Sequence, residues 1–447
     1  MNKTRWLASF AALWLGWAVS AGAQSDIFQP PIEYGAKAPN DRIARLENNI
    51  ASGKSKLDWN AHNGYLSALL RELDVSETSQ MLVFSKTSFQ RERISPKTPR
   101  AIYFSDDVYV GWCQHGEVME FAAIDPQQGA TFYTVEQRES DKPKFTRQVD
   151  NCLLCHASSH TDNIPGLIVR SVHPDAGGFP ILSTNTYRTT FRSPLRERWG
   201  GWYVTGTHGS QRHLGNMIVP NPKEPDQFDM EKGANLRDLH DLFDVAPYQT
   251  GLSDIVALMV LEHQTAVHNQ ITAANYQTRL ALRDQSVLDQ MDGKPAAQRS
   301  PGVQHRIDSA AESLLRCLLF SEETPLTDAV KGTSGFAKHF EAIGPRDEKG
   351  RSLRQFDLQR RMFKYPCSYL IYSEGFEALP PPVKDSVYRQ LYEVLAGKNQ
   401  NQVFAHLAAG DRRAIHEILN DTSVSWRQAV ATYERGLPKT NFTRSGP

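Results

Sequence analysis

Between residue 81 and about residue 215, apolar positions alternate with polar ones or gather in short runs, the pattern of half-buried strands. Met81-Leu82-Val83-Phe84 is one such run. Ala101-Ile102-Tyr103-Phe104 and Val108-Tyr109-Val110-Gly111-Trp112 flank Ser105-Asp106-Asp107 and predict a hairpin. Val118 to Ile124 and Thr131 to Val135, parted by Asp125-Pro126 and Gly129, predict two more strands, and Trp202-Tyr203-Val204 a further one. Upstream, short helices are expected at Asp41 to Ala51 and at Asn63 to Leu73, the second with Leu66, Leu69, Leu70 and Leu73 on one stripe. From 251 the period becomes helical. Ser253-Asp254 caps a pattern reaching about Leu282. Helices are also expected at Arg306 to Phe320, Ser352 to Phe363, Val383 to Ala396, Asn401 to Ala409, Arg412 to Leu419 and Ser425 to Arg435. The pattern predicts an α+β fold, with a β-rich region over 24–250 and a mainly helical region over 251–447.

Residues 1–23 read differently. Lys3 and Arg5 precede the apolar run Trp6 to Val19, and Ala21-Gly22-Ala23 follows, which is the layout of a secretory signal peptide. Export to the periplasm and a mature start at Gln24 are the expectation. The chain carries 50 basic and 50 acidic residues, so losing Lys3 and Arg5 leaves a mature net charge of −2. That near-neutrality argues against nucleic acid or an anionic membrane as partner. No later stretch approaches ~18 consecutive apolar residues, so a soluble mature chain is expected.

Cys152-Leu153-Leu154-Cys155-His156 carries the most specific chemistry. Cys-x-x-Cys-His is the attachment signature of haem c: two thiols add to the two vinyl groups, and the adjacent histidine reaches the iron. One covalent haem is therefore expected, held by Cys152, Cys155 and His156. A thioredoxin-like redox pair would require a βαβ context that the pattern lacks, and zinc would require about four ligands. Of the other cysteines, Cys317 and Cys367 are candidates for a disulfide in an oxidising compartment. Buried free thiols at Cys113, Cys317 and Cys367 are the alternative.

The sixth iron position separates electron transfer from catalysis. Its candidates are His208, His213 and Met217, in one Gly-containing segment downstream of the motif, and His263 on the long helix. His160 and His173 stand behind them. His263 and His268 point about 140° apart at ~3.6 residues per turn, so they do not share a metal; Glu262, Ala266 and Asn269 share a face instead. Propionates need cations. Arg188, Arg192, Arg196 and Arg198 form one cluster of candidates, and Arg351, Arg354, Arg360, Arg361 and Lys364 a second.

Asn151-Cys152-Leu153-Leu154-Cys155-His156 is followed by Ile164-Pro165-Gly166, by the run Arg198 to Gly209 and by Tyr365 to Ser373. In these segments the chain resembles exported bacterial cytochrome c-like proteins with a single haem motif. The resemblance covers most of the mature chain. It implies haem binding and a redox role, but no substrate; a redox partner protein is the expectation that goes with that role. Di-haem cytochrome c peroxidases carry two such motifs, against one here. Electron transfer is the expected function. A haem enzyme of peroxidase or oxidase type, or a non-catalytic haem sensor, is the alternative.

Overall fold

The structure, a computed structural model, describes residues 27–293 and 299–436; the expected signal peptide lies outside them. Two helices, α1 (Arg42–Ala51) and α2 (Leu66–Glu72), precede the sheet. Strands β1 (Met81–Val83), β2 (Arg100–Phe104), β3 (Val108–Trp112), β4 (Val118–Asp125), β5 (Gly129–Glu136) and β6 (Thr146–Arg147) follow. The one-turn helix α3 (Leu153–His156) comes next, then the small ribbon of β7 (Arg170–Ser171) and β8 (Tyr187–Arg188), then β9 (Trp202–Tyr203). Seven strands form one antiparallel sheet in the order β6-β5-β4-β3-β2-β1-β9. The long helix α4 (Ile255–Met291) opens the helical half, with α5 (Pro301–Leu318), α6 (Phe336–Ala342), α7 (Glu374–Glu377), α8 (Pro381–Leu395), α9 (Ala409–Thr422) and α10 (Val424–Gly436). The fold is therefore α+β, as the periodicity predicts. Among the described residues no helix is long and apolar enough to cross a membrane.

The alternation along the strands sorts side chains into two cores, because successive residues point to opposite faces. Leu82, Tyr103, Val110, Phe121 and Tyr133 pack with Leu46, Leu66 and Leu69 of α1 and α2. Met81, Val83, Phe104, Tyr109 and Phe132 face the other way, onto α4. The second core runs on without a break into the helical half, through Leu314, Val387, Ile418 and Trp426. The sheet and the helices thus share one apolar interior.

Every residue of α4 from Ile255 to Thr265 is buried. Its start is fixed by Asp254. One carboxylate oxygen accepts from the Val256 and Ala257 amides at 2.8 and 3.2 Å, and the other from Thr333 and Ser334 at 2.7 and 2.8 Å. Four otherwise orphaned donors are satisfied by one side chain. Gly332 has to be glycine there, since a Cβ would stand 2.4 Å from that carboxylate. Ser253 ties the same point to the sheet: its hydroxyl donates to the Tyr203 carbonyl and accepts from the Leu82 amide.

Two expected helices are absent. Residues 352–363 form turns. Asp357 accepts from the Gln359 and Arg360 amides, Leu358 takes a positive φ of 51°, and Phe356 bridges to Phe363. The segment folds back on itself, with Asp357 donating to Met362 and Leu358 to Arg361, and it also pairs with a second chain segment, since Leu326 donates to Arg360 and Val330 to Leu358. The span 401–409 holds only a single short turn, Gln402–Phe404, before α9 begins. Conversely, α4 runs to Met291, beyond the expected Leu282, and α6 had no clear periodic signal.

Asp254→Ala should lower unfolding free energy by about 2 kcal/mol, because it removes a cap and strands the two half-buried donors of the 333–334 turn. Chemical denaturation of the two proteins side by side measures this.

Candidate functional site

The motif occupies the turn α3, which is held from below by Leu153, a buried member of the core shared with α4. The His156 amide donates to the Cys152 carbonyl at 2.9 Å, so the two residues are one helical step apart and share a face. Cys152 is half-buried and Cys155 exposed; both are free thiols. Leu154, between them, is 69% exposed, so this edge opens to solvent.

His156 decides what the turn can do. Its Nδ1 lies 2.8 Å from the Gly166 carbonyl oxygen. A carbonyl only accepts, so Nδ1 carries the proton and donates. In the neutral ring, Nε2 is then left with a free lone pair, and burial lowers the pKa of the ring below its ordinary value. The loop that supplies the carbonyl is closed twice, since the Gly166 amide donates to the His156 carbonyl at 2.8 Å. Thr161, buried inside the loop, donates to the Ile164 carbonyl at 2.8 Å. Asp162 and Asn163 take positive φ of 55° and 59° at its tip, a conformation their side chains tolerate better than most.

The wall beside the ring comes from the sheet. The Phe132 ring lies 4.7 Å from that of His156. Further along the same sheet face, Arg100 and Glu120 form a half-buried ion pair across Gly111, where a Cβ would collide with the guanidinium. Burial pushes the Cys152 thiol up to about 11, with Glu120 adding to the push and Arg100 opposing it. This pair was not apparent in the sequence, because its two members come from different strands.

The remaining candidates lie apart from the turn. No hydrogen bond or ring contact joins His208, His213, Met217, His263 or His268 to residues 152–156. Both nitrogens of His208 are engaged: Nδ1 donates to Gln211 at 2.7 Å and Nε2 accepts from the Asn235 amide at 3.0 Å. His213 packs on Trp199, with Nδ1 accepting from the Gly215 amide and Nε2 buried without a partner. Met217 sits in a small apolar cluster with Leu214, Val219 and Phe228. His263 bonds to Ser368 at 2.8 Å and stacks on Phe320 at 4.1 Å; His268 meets the Asp106 carbonyl. His160 is exposed, and His173 contacts the Asn185 carbonyl.

Scans against protein-family models, curated proteins and solved structures return no match. The arrangement of this chain's own residues therefore has to carry the functional reading.

Most of the candidate cations are already engaged. Arg351 pairs with Asp347 and Glu417, Arg354 with Asp106, Arg360 with Asp357, Arg361 with Asp411 and Arg192 with Glu322. Arg188 alone among them reaches the motif loop, through the His160 carbonyl. Cys317 and Cys367 are buried free thiols, each pushed up to about 12 by burial.

Arg198 and Glu262 form a pair at 3.0 Å with almost no exposure. Burial pushes Glu262 from its ordinary 4.5 up to about 7, against the pull of Arg198. Between those values the folded chain keeps a proton that the unfolded chain has released, so this group's contribution to stability falls as pH rises through that window. Glu262→Gln should remove that slope from a denaturation series run across the window. Above that window, where Glu262 is ionised, Arg198→Met should cost about 3–5 kcal/mol, because it leaves a buried carboxylate unpaired. The double variant should recover much of the loss, which a double-mutant cycle reads directly.

Proposed function

We propose that this chain is an exported c-type haem protein with a redox role, most simply electron transfer in the periplasm to or from a partner protein. One observation carries the reading: two unpaired thiols share a turn with a histidine whose Nδ1–H is taken by Gly166, which leaves the Nε2 lone pair for a metal. These residues fit haem c. Cys152 and Cys155 would tether it, His156 would ligate the iron, and a bound haem would supply reversible one-electron chemistry.

The protein's own contribution is positioning and electrostatics. Gly166 holds the imidazole in one tautomer and orientation, as outer partners of metal-ligating histidines do. Phe132 blocks one side of the ring. The Arg100–Glu120 pair adds two opposing charges to the effect of burial at the thiol and the ring. Exposed Leu154 and Cys155 leave that edge within reach of a partner surface, which suits electron transfer.

Expression with a haem-attachment system should give haem that resists acid–organic extraction and runs with the polypeptide on a denaturing gel. Cys152→Ala with Cys155→Ala should abolish this. Haem that extracts fully from the parent protein, or none at all, overturns the reading. A low-spin spectrum that binds cyanide slowly is the expected result for an electron carrier; a high-spin ferric form with fast cyanide or peroxide binding selects the enzyme alternative. His208→Ala, His213→Ala, Met217→Ala and His263→Ala then locate the sixth ligand, since its loss turns low-spin iron high-spin. An unaltered spectrum in all four excludes that set.

A further inference from the structure

We infer that Asn269, on the long helix α4, is a positioning residue for His156, acting through the peptide that joins Gly166 to Leu167. The inference rests on the haem reading above and goes further, because it assigns a role to a residue more than a hundred positions from the motif. The Asn269 amide nitrogen donates to the Leu167 carbonyl at 2.8 Å, and its Oδ1 accepts from the Leu167 amide at 2.8 Å. A side chain here imitates a neighbouring strand, offering a donor and an acceptor to one residue at once. An amide does that with two separate atoms; a carboxylate only accepts and an apolar isostere does neither.

The next peptide along is the one that matters. The Leu167 amide nitrogen held by Asn269 and the Gly166 carbonyl that takes the His156 proton belong to the same planar unit. Fixing one end fixes the direction of the other. The fit is tight, since a Cβ on Gly166 would stand 2.7 Å from the Asn269 Oδ1. One turn further along α4, Thr272 closes on Gly129 in the same way, with a Cβ there 2.4 Å from its methyl group. The Ala130 amide donates to Pro165 at 3.4 Å, so strand, loop and helix meet at this point.

A hydrogen bond from Nδ1 to a carbonyl raises the basicity of the ligating nitrogen. A more basic ligand favours the oxidised iron. Losing Asn269 frees the peptide to rotate, weakens that bond and moves the midpoint potential to more positive values.

The test uses the protein as purified from cells that attach haem, comparing the parent with Asn269→Leu, Asn269→Ala, Asn269→Gln and Thr272→Val. All should carry covalent haem on a denaturing gel. Asn269→Leu and Asn269→Ala should shift the potential upward, Asn269→Gln less so, and Thr272→Val not at all, because it alters helix packing without touching the 166–167 peptide. The alanine variant keeps the test open should the leucine variant fail to fold. Parent-like potentials in both Asn269→Leu and Asn269→Ala overturn this inference while the haem reading stands. An equal shift in Thr272→Val also overturns it, because the effect is then one of packing. Absence of covalent haem in the parent overturns the haem reading itself, and this inference with it.

Discussion

A helix buried on every side cannot leave its polar side chains to water. That constraint organises this molecule. The first half of α4 carries Glu262, His263, Gln264, His268 and Asn269 among its apolar residues, and each reaches a different part of the chain. Glu262 meets Arg198, His263 meets Ser368, and Gln264 meets the Ser105 carbonyl and Tyr109. His268 meets Asp106, and Asn269 meets Leu167. Unmade, the bonds of Glu262, His263, Gln264 and His268 would each leave a buried polar group costing about 1–3 kcal/mol, and that of Asn269 a half-buried one. Made, they register the hairpin turn, the motif loop and the helical half against one axis. Asp254 fixes where that axis begins, and the shared apolar core fixes how close the other elements come.

The motif inherits its geometry from this arrangement. A four-residue turn and the loop after it have little core of their own, apart from Leu153 and a few neighbours. Their order comes from the sheet on one side, through Phe132, and from α4 on the other, through Asn269. The turn and its loop are thus set on a large scaffold and do not form a small independent domain.

The sequence disclosed those features that depend on local spacing. Alternation placed β2 to β5 within a residue or two, because strands packed on both faces keep strict apolar positions. Ser253-Asp254 marked the start of α4, because a cap is a local device. Ser352 to Phe363 misled, because Leu353, Phe356 and Phe363 have helix-like spacing, yet Asp357 turns the chain and residues 326–330 capture its backbone. At the site, Cys152, Cys155 and His156 were legible from spacing alone. Gly166 was visible within Ile164-Pro165-Gly166 but without a role. Asn269 was visible only as a residue sharing a helix face with Glu262. Arg100 and Glu120 carried no sequence signal, since their pairing is made by strand register across the sheet. His208 was visible as a candidate ligand in a Gly-containing segment, and the fold engages both of its nitrogens with backbone.

The double closure between His156 and Gly166 makes the intervening loop a ring of fixed circumference. Main chain seals it in one direction and side chain in the other, so the two seals are in register only for one residue count. A single insertion or deletion there would break both together and rotate the imidazole out of alignment with the two thiols. Surface loops usually drift in length without harm. This one behaves as a gauge, and its length is as much a part of the site as the three residues that give the motif its name.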